Sequence, residues 1–373
     1  MAESGTVRFV HTADWQLGMT RHWLGEHQGA YDRARIGAIR RIGRLAVEQD
    51  CEFIVVCGDV FEYAQVKPRT AEPVLERLSA LPVPVYLLPG NHDPLTESGI
   101  YRSDWFRARA GEGVRVLDRP GLVEVRPGLE LLAAPWFSKQ APDEQIDRLA
   151  ARLDPPPPGT VRIAVGHGGV DTLASALTAD PISAAALEAA VAAGRVHYVA
   201  LGDRHSKLSV GGSGRIWYSG SPEPTATRDP DPGHALVVEL ASGSAPEVTP
   251  HHIATWTFAE RRFELTEGAD VDAVLDWLDA FPEKADTVAK PILDGVLGLA
   301  EAERLRAGLE SRGHRFAAIL ESGRSTLRAR PAETDLEDLA LTGFVAEAAA
   351  ALRDQGGEAA NEALRLLIRL AGD

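Results

Sequence analysis

The sequence predicts an α/β protein, because short apolar runs typical of strands alternate with amphipathic segments typical of helices. Five of these runs end at once in a polar cluster rich in Asp, His, Asn and Gly. Apolar, β-branched runs that are closed by Gly or Pro are typical of buried strands. In α/β folds the functional groups gather where strands end and loops begin, so we expect the five clusters to converge at one edge of a sheet.

The five strand-and-cluster units follow one another along the chain, with helices predicted between them. The units are 7–10 with 11–16, 53–57 with 58–59, 83–88 with 89–93, 162–165 with 166–167, and 197–201 with 202–205. In 33–49 apolar side chains such as Ile36, Ile39 and Ile42 recur on one helical face, and 72–81 predicts a second, shorter helix. The apolar run 235–240 predicts a strand that closes this part of the chain.

Composition limits the class of protein. The chain has 373 residues, enough for two or three domains, and its 45% hydrophobic and 25% charged residues are ordinary for globular proteins. A formal net charge of −15 counts against a simple nucleic-acid coat protein, whose affinity would come from Lys and Arg on phosphates. Cys51 and Cys57 are expected to be buried and reduced rather than paired. No signal pattern and no bilayer-length apolar run occurs, so we expect a cytoplasmic protein with no membrane partner.

Together the polar clusters supply ligands for divalent metal ions. They contribute Asp14, Gln16, Asp59, Asn91, His92, His167, Asp203 and His205. Carboxylate, imidazole and amide oxygen ligands suit Mn²⁺, Fe²⁺ or Mg²⁺ better than a thiolate zinc site does. A carboxylate such as Asp59 can bridge two metals about 3.5–4 Å apart, which clamp the attacking and leaving oxygens of a phosphoryl displacement. His92 is the natural candidate for the general acid that protonates the leaving alkoxide.

Each cluster also has a purely structural interpretation. A lone Asp after a strand is usually a helix N-cap or a turn former. Residues 89–93 (PGNHD) combine Pro, Gly, Asn and Asp, all of which favour turns. Five such clusters in order, each after an apolar strand pattern, favour a metal site over five unrelated turns.

These residues resemble the motifs of the calcineurin-like metallophosphoesterase superfamily, which are Asp-x-His, Gly-Asp, Gly-Asn-His-Asp, Gly-His and Gly-His-x-His. Within it, 11–18 (HTADWQLG), 58–61 (GDVF) and 218–222 (YSGSP) resemble the SbcD branch, the nuclease subunit that works with the coiled-coil ATPase SbcC in DNA double-strand break processing. The resemblance is strong from Val7 to about His252. It implies a two-sheet β-sandwich flanked by helices, two Mn²⁺ ions, DNA as substrate, an SbcC-type ATPase partner, a homodimer and a location on the nucleoid.

The resemblance also assigns the ligands. One metal would be held by Asp14, Asp59, His205 and, where the family has His, Gln16. The second would be held by Asp59 as the bridge, Asn91, His167 and, where the family has the first His of Gly-His-x-His, Asp203. His92 would be the catalytic acid. An amide oxygen is a weak, neutral ligand and a carboxylate is a hard one, so we expect a variant site that favours Mn²⁺ or Mg²⁺ and remains active.

Three parts of the chain are predicted. Residues 1–257 form the metallophosphoesterase (nuclease) domain, 258–330 a small α/β capping domain, and 331–373 a C-terminal helical segment that binds the partner. The capping domain is predicted from strand patterns at 262–265, 291–297 and 316–320 and helical patterns at 271–281 and 300–311. The apolar helical pattern at 363–370 either packs on its own domain or docks on the ATPase. Residues 102–110 are a candidate for dimer contacts.

Three functional hypotheses remain. The leading one is a Mn²⁺-dependent DNA exonuclease subunit that acts with a coiled-coil ATPase. A stand-alone phosphodiesterase acting on nucleotides or small phosphoesters would need neither the capping domain nor the apolar tail. A weakly catalytic scaffold for the ATPase stays open because Gln16 is a weak metal ligand.

Overall fold

The computed structural model describes residues 6–173, 180–241, 243–329 and 343–357, together with 359–360, 363–364 and 366–367. The chain divides into two compact units, Met1–Trp256 and Thr257–Asp373. Much of the predicted partner-binding segment, including 331–342, lies outside the described residues. In the part of the chain that is described, no helix is long and apolar enough to cross a membrane.

The first unit is built from strands and helices in alternation. Its elements are β1 (Val7–Thr12), α1 (Gln28–Glu48), β2 (Phe53–Cys57), α2 (Pro68–Ser79), β3 (Val85–Leu88), α3 (Asp104–Ala110), β4 (Val114–Val116), β5 (Gly121–Arg126), β6 (Leu129–Ala133), α4 (Ile146–Arg152), β7 (Val161–His167), α5 (Ala184–Ala192), β8 (Tyr198–Gly202), β9 (Leu208–Val210), β10 (Ile216–Tyr218), β11 (His234–Leu240) and β12 (Glu247–His252).

These strands form two six-stranded sheets. The first has the order β12-β11-β1-β2-β3-β4 and the second β5-β6-β7-β8-β10-β9. In the first sheet β1, β2, β3 and β4 run parallel, and β11 pairs antiparallel with β1. In the second, β6, β7, β8 and β10 run parallel, with antiparallel partners at both edges. The prediction of an α/β fold with a two-sheet sandwich flanked by helices is confirmed.

Three apolar layers hold the sandwich together. The alternation of side chains along β1 divides it between two of them, because Phe9 packs between the sheets while Val10 packs toward the helices. Phe9 stacks on Phe53 with ring centroids 5.0 Å apart and meets Tyr198 of the opposite sheet edge-on at 5.7 Å. The third layer packs α4 and α5 on the outer face of the second sheet, around residues such as Leu187. Strands buried on both faces are rigid supports for the loops at their ends.

The second unit is a smaller α/β unit. Its elements are β13 (Thr257–Leu265), α6 (Gly268–Asp279), β14 (Thr287–Leu297), α7 (Leu299–Gly313), β15 (Ala318–Ile319), β16 (Arg328–Ala329) and α8 (Phe344–Gln355). The central strand β14 pairs in parallel with the three others. Its core includes Phe263, Val271, Val274 and Leu305, contributed by β13 and the two helices α6 and α7.

Candidate metal centre

The predicted site residues come from both sheets. Asp14 and Gln16 follow β1 and Asp59 follows β2, and the parallel pairing of β1 and β2 continues beyond the strand ends. There the Asp14 N–H donates to the Gly58 carbonyl at 3.1 Å and the Gln16 N–H donates to the Asp59 carbonyl at 2.8 Å. His167, at the end of β7 in the second sheet, reaches across, and its Nδ1 lies 2.8 Å from the Cys57 carbonyl oxygen.

Four of the predicted ligands have left-handed backbone conformations. Asp14, Gln16, Asp59 and Asp203 have φ of 54°, 43°, 54° and 100°. Among the described residues just two other non-glycine positions have positive φ, Asp50 and Asp180. Such conformations cost roughly 1–3 kcal/mol each and cluster at functional sites, where surrounding hydrogen bonds hold them. The loops therefore store strain where the predicted ligands lie.

His167 is oriented as a metal ligand. Its Nδ1 contacts a carbonyl oxygen, which can only accept, so Nδ1 carries a proton and Nε2 is the nitrogen that could bind a metal ion. That Nε2 lies 2.8 Å from Asn91 Oδ1, 3.4 Å from Asp59 Oδ2 and 3.9 Å from Asp203 Oδ1. Donor atoms of Asp14, Asp59 and His167 all lie within 4.8 Å of one another, and the three residues are buried.

Gln16 and His205 form the other side of the cluster. Gln16 Nε2 lies 3.1 Å from His205 Nε2. The other ring nitrogen, Nδ1, lies 2.5 Å from Thr225 Oγ1, and this hydroxyl donates to Asp229 Oδ2 at 3.0 Å. The relay fixes the proton on Nδ1 and turns Nε2 toward the cluster, as outer hydrogen bonds commonly do for metal-binding imidazoles.

Asp203 completes the cluster through its backbone as well as its side chain. Its N–H donates to both carboxylate oxygens of Asp14, each at 3.1 Å. The Asp203 side chain is 37% exposed, whereas that of Asp59 is 3% exposed. The structure thus brings all seven predicted ligands together in one connected group, with the Asp203 carboxylate on its open side.

His92 lies at the edge of the group. Its backbone N–H donates to Asp59 Oδ1 at 2.9 Å. Its Nδ1 lies 3.1 Å from the Glu62 carbonyl oxygen and 3.8 Å from Glu62 Oε1. The side chain is 37% exposed, so the ring is accessible from solvent while Nδ1 is held.

The neighbouring Asp93 supports this loop from behind. It accepts from the N–H groups of Gly90 and Phe61 at 2.8 and 3.0 Å and from the Tyr101 hydroxyl at 2.5 Å. Burial, and then the nearby Asp59 carboxylate, raises the pKa of Asp93 to about 6. Asp93 therefore shapes the PGNHD turn and does not face the predicted metals.

The glycines before the ligands are required by close approach. A Cβ on Gly58 would lie 2.1 Å from His167 Nδ1, and one on Gly202 would lie 1.8 Å from the Cys57 carbonyl oxygen. Gly58 also has φ of 90°, which L side chains rarely adopt. The Gly-Asp dipeptides of the motifs thus allow the two sheets to meet at the site.

Crowded carboxylates in a buried setting shift the acidity of the site. Burial, opposed by His167 and His205 and helped by the other carboxylates, raises the pKa of Asp14 to about 7. Burial also favours the neutral ring of His167, but the Asp59, Asp14 and Asp203 carboxylates outweigh it and raise its pKa well above the ordinary value. A divalent cation would neutralise this concentration of negative charge.

The donor set fits hard divalent metals. It consists of carboxylate and amide oxygens with two imidazoles whose outer nitrogens are already bonded. Cys57 supplies only its carbonyl, and burial raises the pKa of its thiol well above the ordinary value. Both cysteines are free and buried, as predicted.

Several supporting residues had no signal in the sequence. Asp229 lies in a Pro-rich and Asp-rich stretch that predicts just a loop, and Thr225 and Glu62 belong to no recognised pattern. Their role becomes visible only when the fold brings them to His205 and His92.

A two-sheet sandwich with a buried carboxylate–imidazole cluster at its strand ends is an arrangement suited to metal-dependent hydrolysis of phosphoesters. Residues 7–207 match the family model of the calcineurin-like phosphoesterases, and the chain belongs to this family. The family uses a pair of divalent metals.

One curated relative is the DNA double-strand break repair protein Mre11 of Archaeoglobus fulgidus, 33% identical over 93 residues. The match covers 23% of this chain and 19% of that protein, so the chain spans about a fifth of its length.

Two solved structures also resemble this chain. A dimetal phosphatase from Danio rerio is 13% identical, with 66% of this chain and 98% of that one covered and a TM-score of 0.41. The calcineurin-like phosphoesterase YfkN from Bacillus subtilis is 13% identical, with 66% and 91% covered and a TM-score of 0.39.

Proposed function

We propose that this chain is a metal-dependent DNA nuclease, the SbcD-like subunit of a complex with a coiled-coil ATPase. The observation that carries the proposal is the single cluster formed by Asp14, Gln16, Asp59, Asn91, His167, Asp203 and His205, with His92 beside it. The partial similarity to a DNA double-strand break repair protein favours DNA over small phosphoesters as the substrate.

The metal pair, most suitably Mn²⁺, would be held by residues that follow strands of both sheets. Asp14, Gln16 and His205 would hold one ion, Asn91, His167 and Asp203 the other, and Asp59 both. When bound, such a pair polarises the phosphoryl group and lowers the pKa of water.

His92 performs the proton transfer in this proposal. Its Nδ1 is held at the Glu62 carbonyl, so Nε2 is the atom that can give a proton to the leaving alkoxide. The backbone bond to Asp59 fixes the position of His92 relative to the bridging carboxylate. Because the ring is accessible, a substrate can reach it without movement of the sheets.

Mn²⁺-dependent cleavage of linear double-stranded DNA tests the proposal. Loss of a general acid costs typically 10²–10⁴-fold, so His92→Ala should lower kcat by about that factor while Mn²⁺ affinity stays close to wild type. His252→Ala, at an exposed position of β12, is the matched control and should cleave like wild type.

Three results would contradict the proposal in different ways. Undiminished cleavage by His92→Ala would remove its role as the acid. Hydrolysis of a small phosphodiester with no DNA cleavage would indicate a stand-alone phosphodiesterase. Absence of Mn²⁺ binding would favour a scaffold that regulates the ATPase.

The partner is proposed to dock on the C-terminal helices. Within the second unit α8 packs through Ala349 against Leu299 and Leu364, while Phe344 at its start is 82% exposed. An exposed aromatic side chain on a helix anchored by its other face is a suitable anchor for a helix of a coiled-coil ATPase.

Phe344→Glu should weaken binding of the ATPase at least tenfold, whereas Val47→Glu on α1, also exposed, should not. Equal binding by both variants would contradict this docking site.

A homodimer is also proposed, with α3 at the contact. Sedimentation equilibrium over a range of protein concentrations tests it, and a monomer at all concentrations would contradict it.

A further inference from the structure

A buried arginine lies directly behind the Gln16 loop. Arg35, on α1, is 4% exposed. Its guanidinium donates through Nη2 to the carbonyl oxygens of Trp15 and Gln16, the latter at 2.6 Å. Among the described residues no carboxylate forms an ion pair with it, and its buried Nε has no hydrogen-bond partner. The Asp32 carboxylate interacts with its charge at a distance, and burying a cation without a direct ion pair is unfavourable, so its place behind a metal-site loop requires an explanation.

The arginine is connected to a buried tyrosine one helical turn before it. Arg35 Nη1 donates to the Tyr31 hydroxyl at 2.8 Å, and that hydroxyl donates to the Pro224 carbonyl at 2.5 Å. Tyr31 is itself fully buried and packs edge-on against Trp256 with ring centroids 5.1 Å apart. Helix α1 thus anchors two separate loops, the one after β1 and the one containing Pro224.

Those two loops contain the residues that position Gln16 and His205. Pro224 precedes Thr225, whose hydroxyl holds His205 Nδ1. The Gln16 carbonyl, held by Arg35, belongs to a residue with φ of 43°, a conformation that needs external support. Gln16 Nε2 and His205 Nε2 meet at 3.1 Å in front of this network.

We propose that Arg35, acting with Tyr31, is a positioning residue that holds Gln16 and His205 together as ligands of one metal ion. The inference rests on the two-metal site proposed above. Gln16 offers a weak amide ligand, and a weak ligand contributes most when its backbone is already fixed in the binding conformation. Among the described residues, the hydrogen bonds of Arg35 and Tyr31 reach Trp15, Gln16 and Pro224 and none of Asn91, His167 and Asp203, so the ion held by those three should depend far less on Arg35.

Mn²⁺ binding measured by calorimetry and by electron paramagnetic resonance tests the inference without any substrate. Loss of an outer hydrogen bond to a metal ligand costs about 10- to 100-fold in affinity. Arg35→Met should therefore lower the affinity for one of the two Mn²⁺ ions by about that factor. The affinity for the other ion should stay within about twofold of wild type. Arg40→Met, at an exposed position of the same helix, is the matched control and should change neither.

A double-mutant cycle assigns the affected ion. In a Gln16→Ala background, Arg35→Met should cause a smaller loss of Mn²⁺ affinity than in wild type, because just the part transmitted to His205 remains, whereas in an Asn91→Ala background the full loss should remain. Tyr31→Phe removes one hydroxyl and keeps the packing, so it should lower the affinity for the same ion by a smaller factor. It serves as the test if Arg35→Met does not fold.

Each outcome decides the matter. Equal weakening of both ions, unchanged binding, or losses that add in the Gln16→Ala background would overturn the positioning role and leave the two-metal proposal intact. A wild-type protein that binds no Mn²⁺ would overturn both.

Discussion

The pH dependence of folding stability should be governed in part by His11. Burial lowers the pKa of this fully buried imidazole from 6.5 to about 3, and the Leu201 carbonyl, 3.1 Å from Nε2, offsets just part of that effect. Above pH 6.5 the ring is neutral in both states and adds no pH dependence. Below it, the unfolded chain binds a proton that the folded chain refuses, so stability falls by about 1.4 kcal/mol per pH unit until pH approaches the folded value.

His11→Gln isolates this contribution. Gln keeps a donor for the Leu201 carbonyl, so we expect a loss of about 1–3 kcal/mol at pH 7 from imperfect packing. Between pH 6.5 and pH 5 the free energy of unfolding of wild type should fall by about 2 kcal/mol more than that of the variant. The difference in stability between the two proteins should therefore narrow by that amount. Urea unfolding in EDTA at several pH values measures it. A stability difference that stays constant with pH would refute the reasoning. Tyr198→Phe leaves His11 buried, so a loss of the pH-dependent fall in stability in that variant would refute it as well.

Three further substitutions examine the metal centre. Gln16→His should raise the affinity for one Mn²⁺ ion about tenfold, or ~1.4 kcal/mol, because imidazole is a stronger donor than an amide oxygen. Calorimetry measures this affinity, and weaker binding would argue against Gln16 as a ligand. Thr225→Val breaks the relay from His205 to Asp229 and should lower the affinity for the same ion about 10- to 100-fold, with the fold intact by circular dichroism. An affinity equal to that of wild type would show that the relay is incidental. Gly58→Ala places a Cβ 2.1 Å from His167 Nδ1 and should destabilise the first unit by more than about 3 kcal/mol in chemical unfolding; a stable, Mn²⁺-binding variant would contradict the close approach of the sheets.

The positions of the candidate ligands could be predicted from the sequence, because each of them follows a local strand signal. The run 53–57 is the strand β2 itself, and Asp59 follows it as expected. Strand β7 extends to His167, so that ligand lies at the end of the strand as predicted. Asp14, Asp59 and His167 are brought together by strand order, which parallel pairing and burial determine.

Element boundaries were less predictable. Helix α1 begins at Gln28, before the predicted start at residue 33, because Tyr31 already packs against Trp256 far along the chain. Helix α2 begins at Pro68 rather than residue 72, since proline is well suited to the first turn of a helix. The edge strand β12 has a polar sequence and was not predicted, because pairing with β11 rather than an apolar face determines it.

The supporting network of the site was not predictable. Arg35 and the Gln16 carbonyl are 19 positions apart, and Tyr31 and Pro224 are 193 apart. Contacts at such separations leave no periodic or motif signal, so an arginine on the buried side of α1 resembles any other member of an arginine-rich helix until the fold is known.

The ligands of the proposed metals are divided between two sheets that have no strand in common. Asp14, Gln16, Asp59 and Asn91 follow strands of one sheet, whereas His167, Asp203 and His205 come from the other. Metal ions bound there would join the layers, and ions held at 100 times their dissociation constant would add about 2.7 kcal/mol to the stability of the folded chain. The lifetime of this protein in a cell would then depend on the supply of its divalent metal, so scarcity of the metal would lower the abundance of the protein as well as its rate of catalysis.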